Sequence, residues 1–461
     1  MTAATTPTRL MRAMAGLVAL AVLAAFATLL AARQIEDAAR TVGRDAEPSV
    51  ALALRMTATL RGMDAAVLSD ALTDGGAAIG TSLAFQVGMD ALADDIVEAS
   101  RNVTYGEAEA GPLRGLTRGL AMYQQAVVEA RYIGAGNAWI TARRVGWASR
   151  VNRDFVVPQA EALERANANE LEARYAEYRA RSPYFAGIAL GASAALLVGL
   201  VAVQSWLARR TNRVLNPALV LATSLAGGVA LWFANVAIDG RADLRTAKSD
   251  AYDSLRPLFA AKAAVSGLRA DGSMWLLDPT TRGEAQARLD ADMRELAGTD
   301  IDRPDQVRAL VLALDGAAAL ERAGDMARAR AATPQVGGLL GAELGNITFG
   351  SRERDAVTQA VAALAAAEAA LRDAQAWEAA GDHLVTAWRW LSTAPDGGGA
   401  AFAAVQDALD RTIAANQDAF DRHISAALAN ARAMPFIGCG VLALVAMLSV
   451  GGLWLRLREY R

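Results

Sequence analysis

The tightest constraint on this chain lies at its centre. Two uncharged apolar runs, Tyr184 to Leu207 and Pro217 to Ile238, are separated by nine residues. As a helix, each run is long enough to cross a hydrocarbon core of about 30 Å. A turn this short makes the two helices antiparallel neighbours. It runs from Ala208 to Asn216, carries Arg209, Arg210 and Arg213, and holds no acid. The positive-inside rule assigns such a turn to the cytoplasm. Everything before and after the hairpin is then expected on the opposite side.

Two further apolar runs, Met14 to Ala32 and Phe436 to Leu455, make four candidate spans, all free of Asp, Glu, Lys and Arg. Tyr184, Trp206, Trp232, Trp454 and Tyr460 flank them, as aromatic residues do at membrane interfaces. The expected order is a cytoplasmic N-terminus (1–13), a span (14–32), an extracytoplasmic block (33–183), a span (184–207), the basic turn (208–216), a span (217–238), a second block (239–434), a span (435–455) and a cytoplasmic tail (456–461). Arg9 and Arg12, the central turn, and the tail with Arg456, Arg458, Arg461 and one glutamate sum to +7. Against a chain total of −3, that leaves −10 for the remainder. Mildly acidic blocks do not suit nucleic acid or anionic lipid. The small residues Leu30-Ala-Ala-Arg33 also leave open a cleaved signal peptide for the first run. The single cysteine, Cys439, lies inside the last span and excludes an intramolecular disulfide.

The two blocks repeat one another in order. Leu60-Arg61 followed by Val67-Leu68-Ser69-Asp70 resembles Leu268-Arg269 followed by Trp275-Leu276-Leu277-Asp278, at a shift of 208. Asn102-Val-Thr-Tyr-Gly106 resembles Asn346-Ile-Thr-Phe-Gly350 at 244, and Gly136–Arg144 resembles Gly381–Arg389 at 245. The jump of 36 predicts an insertion in the second block, over 279–334. Ala, Leu, Arg and Glu dominate, and Leu52, Met56, Leu60, Met63 and Val67 stripe one helix face. Breaks at 73–76, 102–106 and 134–137 give four helices per block, near 34–72, 80–101, 112–133 and 137–182. The expected fold is an all-α membrane protein with two tandem extracytoplasmic four-helix bundles related by internal duplication. Pro48 and Pro257 should kink the first helix of each block. At 1.5 Å per residue the outer helices reach roughly 60 Å from the membrane. Their far tip carries Asp74, Gly75, Gly136, Asn137, Gly381 and Asp382 as candidates for partner docking.

Chemistry is sparse. His383 and His423 have no cysteine partner and no convergent ligand set, so neither a metal nor a cofactor is expected. No nucleophile triad, phosphate loop or dinucleotide fingerprint occurs, which points away from an enzyme. In the repeated turn, Asn102, Thr104 and Gly106, like Asn346, Thr348 and Gly350, have ordinary turn-closing roles. Arg61 and Arg269 offer guanidinium groups for a carboxylate, against the plainer reading of a solvated face or an ion pair; Arg144 and Arg389 stand equally. Gly187-x-x-x-Gly191 and Gly227-Gly228 suit close packing of spans. Gln204 and Asn235 are the amides in the spans and sit near their ends, which counts against transport.

Helical blocks continuous with membrane spans resemble the four-helix-bundle sensor domains of bacterial chemoreceptors and kinases. The four spans, the Arg209–Arg213 turn and the paired blocks resemble the GlnX-type four-span sensors of actinobacteria, from the GlnH–GlnX–protein kinase G pathway. That resemblance implies a relay. A GlnH-like solute-binding lipoprotein senses aspartate, glutamate or glutamine, the four-span protein receives it, and a soluble Ser/Thr kinase responds inside. Arg209, Arg210, Arg213, Arg456, Arg458 and Arg461 are the available cytoplasmic contacts. Direct sensing by the bundles through Arg61 and Arg269, and an envelope or division scaffold, are the alternative readings. A homodimer stays open.

Overall fold

The computed structural model describes residues 6–73, 77–134, 136–211, 216–298, 312–317, 319–320, 322–332, 337–346 and 351–458, and among these there is no strand. The chain is an all-α membrane protein, with four helices long and apolar enough to cross a bilayer. Its residues fall into two compact units. One comprises 1–44, 171–247 and 421–461; the other comprises 45–170 and 248–420.

The first unit holds the apolar runs. Helix α1 (Thr6–Arg40), the C-terminal part of α6 (Val157–Thr211), α7 (Pro217–Arg245) and the C-terminal part of a last helix, α14 (Gly398–Arg458), supply it. Small residues sit where these helices approach. A side chain at Gly199 would meet Leu20 at 3.1 Å, one at Gly438 would meet Thr28 at 3.1 Å, and one at Gly452 would meet Ala218 at 3.1 Å. The GxxxG pair does not serve this purpose: Gly187 and Gly191 have nothing within 4 Å, and neither has Gly228. Both GxxxG residues lie on an exposed face of α6, so the spacing alone misassigned the contact. Asn216 caps α7 by accepting from Ala218 N and donates to Gly452 O at 2.9 Å, while Gln204 donates to Leu219 O and to Thr223 Oγ1. Asn235 is spent on its own helix, donating to Leu231 O.

The second unit contains both blocks. The first supplies α2 (Glu47–Ala71), α3 (Leu83–Arg101), α4 (Glu107–Gly134), α5 (Ala138–Val151) and the start of α6. The second supplies α8 (Asp253–Leu277), α9 (Arg282–Ala297), α10 (Met326–Ala332), α11 (Gly338–Gly345), α12 (Ser351–Ala379), α13 (His383–Leu391) and the start of α14. Helices α2 and α8 pack along one another at the centre. Leu52, Met56, Leu60, Met63 and Val67 are all buried, and burial continues round the helix to Ala58, Ala65 and Leu68. The two cores interlock across this pair: Ala58 joins the second block's cluster, and Ala270 and Met274 join the first block's. Trp390 inserts from α13 over Gly272, meets Phe402 edge-on at 5.2 Å, and donates from Nε1 to Ser273 Oγ at 3.0 Å.

The disturbance expected near Pro48 and Pro257 takes the form of π-helical turns directly upstream, Thr41–Ala46 and Thr246–Tyr252. Proline lacks the N–H and crowds the carbonyl four residues back, and a wider turn accommodates both. Part of the expected insertion, 279–334, is helical. Residues 282–297 form α9, which buries Leu289 and Leu296 against α8. The chain departs at Gly298 and returns at Gly337, whose backbones touch: a Cβ at Gly298 would lie 3.0 Å from Gly337 Cα. Between those two glycines lie 38 positions, 299 to 336.

Candidate functional site

The repeated turns are built alike. Asn102 donates to Ser49 Oγ at 2.8 Å, tying the end of α3 to α2, and Asn346 donates to Ser254 Oγ, tying α11 to α8. Gly106 takes φ +63°, a conformation that side chains resist; Thr348 and Gly350 lie outside the described residues. Two carboxylates complete this arrangement, and the motif search missed them. Glu109, 2% exposed, accepts from Thr104 N and Tyr105 N at 2.7 Å each through one oxygen. Glu353 is fully buried and accepts from Asn416 at 3.0 Å. Each glutamate stands seven residues after its asparagine, so extending the repeat by three positions would have found both. The second turn adds Glu343. Asn416 donates to it at 3.3 Å, and burial, together with Glu353 beside it, pushes its carboxyl up to about 8.

The turns that were expected at the tip are α4–α5 and α12–α13. Gly136 and Gly381 adopt φ +83° and +86°. Asn137 caps α5 by accepting from Ile140 N, and Asp382 N-caps α13 through its backbone carbonyl, which receives Thr386 N–H and Oγ1–H. Asp74 and Gly75 lie outside the described residues. Large apolar side chains stand exposed beside both turns: Tyr132 and Trp139 in the first block, Leu384 at 83% and Trp388 at 67% in the second. Arg144 pairs with Glu129, and Arg389 stacks on Trp377.

Arg61 and Arg269 both come to the seam between the blocks. Each lines a cavity, and among the described residues neither side chain makes a hydrogen bond or an ion pair. The Arg61 cavity, about 220 Å³, is walled by α2, α6, α8 and α9 and includes Glu161, Glu164, Asp292 and Glu295, with Arg256 held by Glu164 at 2.6 Å. Burial raises Asp292 to about 6, opposed by Arg61. Behind Arg61 lies a buried polar seam: Asp64, raised to about 6 by burial and bonded by Ser149 at 2.7 Å, and Asp271, held by Arg288 at 2.7 Å and Arg153 at 3.4 Å. The Arg269 cavity, about 330 Å³, is walled by α2, α3, α8 and α14. Burial lowers the Arg269 pKa, opposed by Asp70.

The basic residues assigned to a relay end two helices of the first unit. Arg209 is exposed near the end of α6; Arg456 and Arg458 occupy the last turn of α14, Arg458 over Trp454. Nothing is described of the Arg210 side chain, and Arg213 and Arg461 lie outside the described residues.

Residues 38–176 match the family model of an actinobacterial sensor domain. The match spans α2 to α5 with the ends of α1 and α6, and so contains Arg61, the Asn102 turn and Glu109. It supports an actinobacterial sensor protein and a role in signal sensing. No curated protein and no solved structure matches the chain.

Proposed function

We propose that the chain is a non-enzymatic transmembrane signal transducer. It receives an extracytoplasmic amino-acid signal (aspartate, glutamate or glutamine) from a docked solute-binding lipoprotein and relays it to a cytoplasmic Ser/Thr kinase. The observation that carries this reading is the exposed apolar face beside the α4–α5 and α12–α13 turns, where Tyr132, Trp139, Leu384 and Trp388 all stand open to solvent. Large apolar groups held outward at two comparable turns are the expected anchors of a protein interface. The sensor-domain match supports reception of a signal by the same block. The inward step falls to Arg209, Arg210, Arg213 and the tail arginines Arg456, Arg458 and Arg461. The two blocks are read as products of duplication, a reading supported by the shared Asn–Ser tie, the buried glutamate seven residues on, and the matching positive φ at Gly136 and Gly381.

The test is crosslinking in the native host from residue 139 or 388, followed by identification of partners. A solute-binding lipoprotein captured by the native chain and lost from a Trp139→Ala, Leu384→Ala, Trp388→Ala variant is the expected result. Capture that persists in the triple variant moves the docking face elsewhere, and a partner list of division or cell-wall proteins replaces the relay by a scaffold.

A further inference from the structure

The two cavities that flank α2 and α8 differ in charge, and the difference assigns a ligand class to one of them. Around Arg61 the lining carries four carboxylates and two guanidinium groups. Around Arg269 it carries three cations, Arg55, Lys262 and Arg269, and no carboxylate. Two of these cations are answered from outside the lining. Asp95 takes Arg55 in a forked contact, Nη2 to Oδ1 at 2.5 Å and Nε to both oxygens at 3.1 Å, and Asp410 takes Lys262. Arg269 has no such partner among the described residues. Asp70, whose charge acts on Arg269, accepts from Gly80 N and makes no ion pair with it. A partly buried guanidinium with no ion-pair contact, and only the more distant charge of Asp70 acting on it, is an unfavourable arrangement that a bound anion would relieve.

We infer that the Arg269 cavity is a binding site for a small organic carboxylate. The guanidinium matches a carboxylate in a two-point contact. Met63, Val87, Phe259 and Phe402 offer apolar walls for the carbon chain. At the back Gln406 is already committed, donating to Ser266 Oγ at 3.0 Å and to Lys262 O at 3.2 Å, so the charged donor still open among the described lining residues is Arg269, with the Thr59 hydroxyl beside it in the lining. The volume, about 330 Å³, sits at the small end of the range for small-molecule sites, which is ~300–1,000 Å³. The Arg61 cavity, with its surplus of carboxylates, repels the same ligand. This site is separate from the turns proposed for docking, so it stands or falls without them.

The experiment is calorimetric titration of the purified full chain in detergent, alone, with sodium succinate, L-glutamate and L-glutamine, against sodium chloride at matched ionic strength. At least one carboxylate should bind, and Arg269→Ala should weaken it about tenfold or more, the scale of a lost charged hydrogen bond. Arg61→Ala should leave it unchanged. A second variant, Val87→Trp, narrows the cavity from the exposed face of α3, leaves the guanidinium in place, and should weaken binding too. Melting curves of each variant without ligand separate lost binding from lost folding. No heat from any of the three compounds at 10 mM (roughly the weakest affinity worth calling a site) overturns the inference. So does binding that survives both Arg269→Ala and Val87→Trp in folded protein, or that is lost equally in Arg61→Ala.

Discussion

Glu109 gives the sharpest handle on what holds the first block together. One of its oxygens accepts two backbone N–H groups, Thr104 and Tyr105, each at 2.7 Å, inside the first turn of α4. A hydrogen bond to a charged acceptor contributes about 1.5–3 kcal/mol, and a negative charge at a helix N-terminus adds about 0.5 kcal/mol. Both donors are only partly buried, so water recovers some of the loss. Glu109→Ala should then cost about 2–4 kcal/mol locally. Glu109→Gln keeps an oxygen in the same place without the charge, and should cost about half as much. Amide hydrogen exchange at Thr104 and Tyr105 reads this directly. Protection should fall roughly 30-fold or more in the alanine variant, since 1.4 kcal/mol is a factor of ten, with a smaller fall in the glutamine variant. Protection within about threefold of the parent in Glu109→Ala, or equal losses in both variants, would refute the assignment of the turn to this carboxylate.

Two further outcomes follow from the second block. A Cβ at Gly272 would lie 2.4 Å from Trp390 Cζ2, so Gly272→Ala should destabilise the unit by about 1–3 kcal/mol through overpacking; Trp390→Phe should relieve much of that, seen as non-additive melting temperatures. Glu343 titrates near 8 in the fold and near the ordinary carboxylate value when unfolded, so the folded state holds the extra proton between those limits. Stability from this group is therefore full below about pH 4.5 and is lost as pH rises through about 8. Glu343→Gln, a neutral mimic, should flatten that decline in melting temperature, and an unchanged pH profile would contradict the assignment.

Much of the architecture was legible because hydropathy and helical periodicity survive whatever packs around them. The four spans, the buried stripe from Leu52 to Val67, and the breaks at Asn102 and Gly136 are local signals. What the pattern left out are properties of pairing. Helix α2 reads as one apolar stripe, yet its burial extends beyond the stripe to Ala58, Ala65 and Leu68, with Ala58 joining the second block's core. Arg61 and Arg269 were visible as candidates. That one cavity is acidic and the other cationic depends on α6, α9 and α3, which arrive from distant parts of the chain. Gly187 and Gly191 show the converse, a motif with the right spacing at positions where an added Cβ meets nothing within 4 Å among the described residues.

Sidedness is what the whole proposal of reception outside and response inside depends on, and one pair of fusions measures it. Alkaline phosphatase, active only outside the cytoplasm, placed after Asn212 should be silent, and placed after Gly136 it should be active. The reverse pattern, an active fusion in the basic turn with a silent one at Gly136, would put the helical blocks in the cytosol and contradict the account.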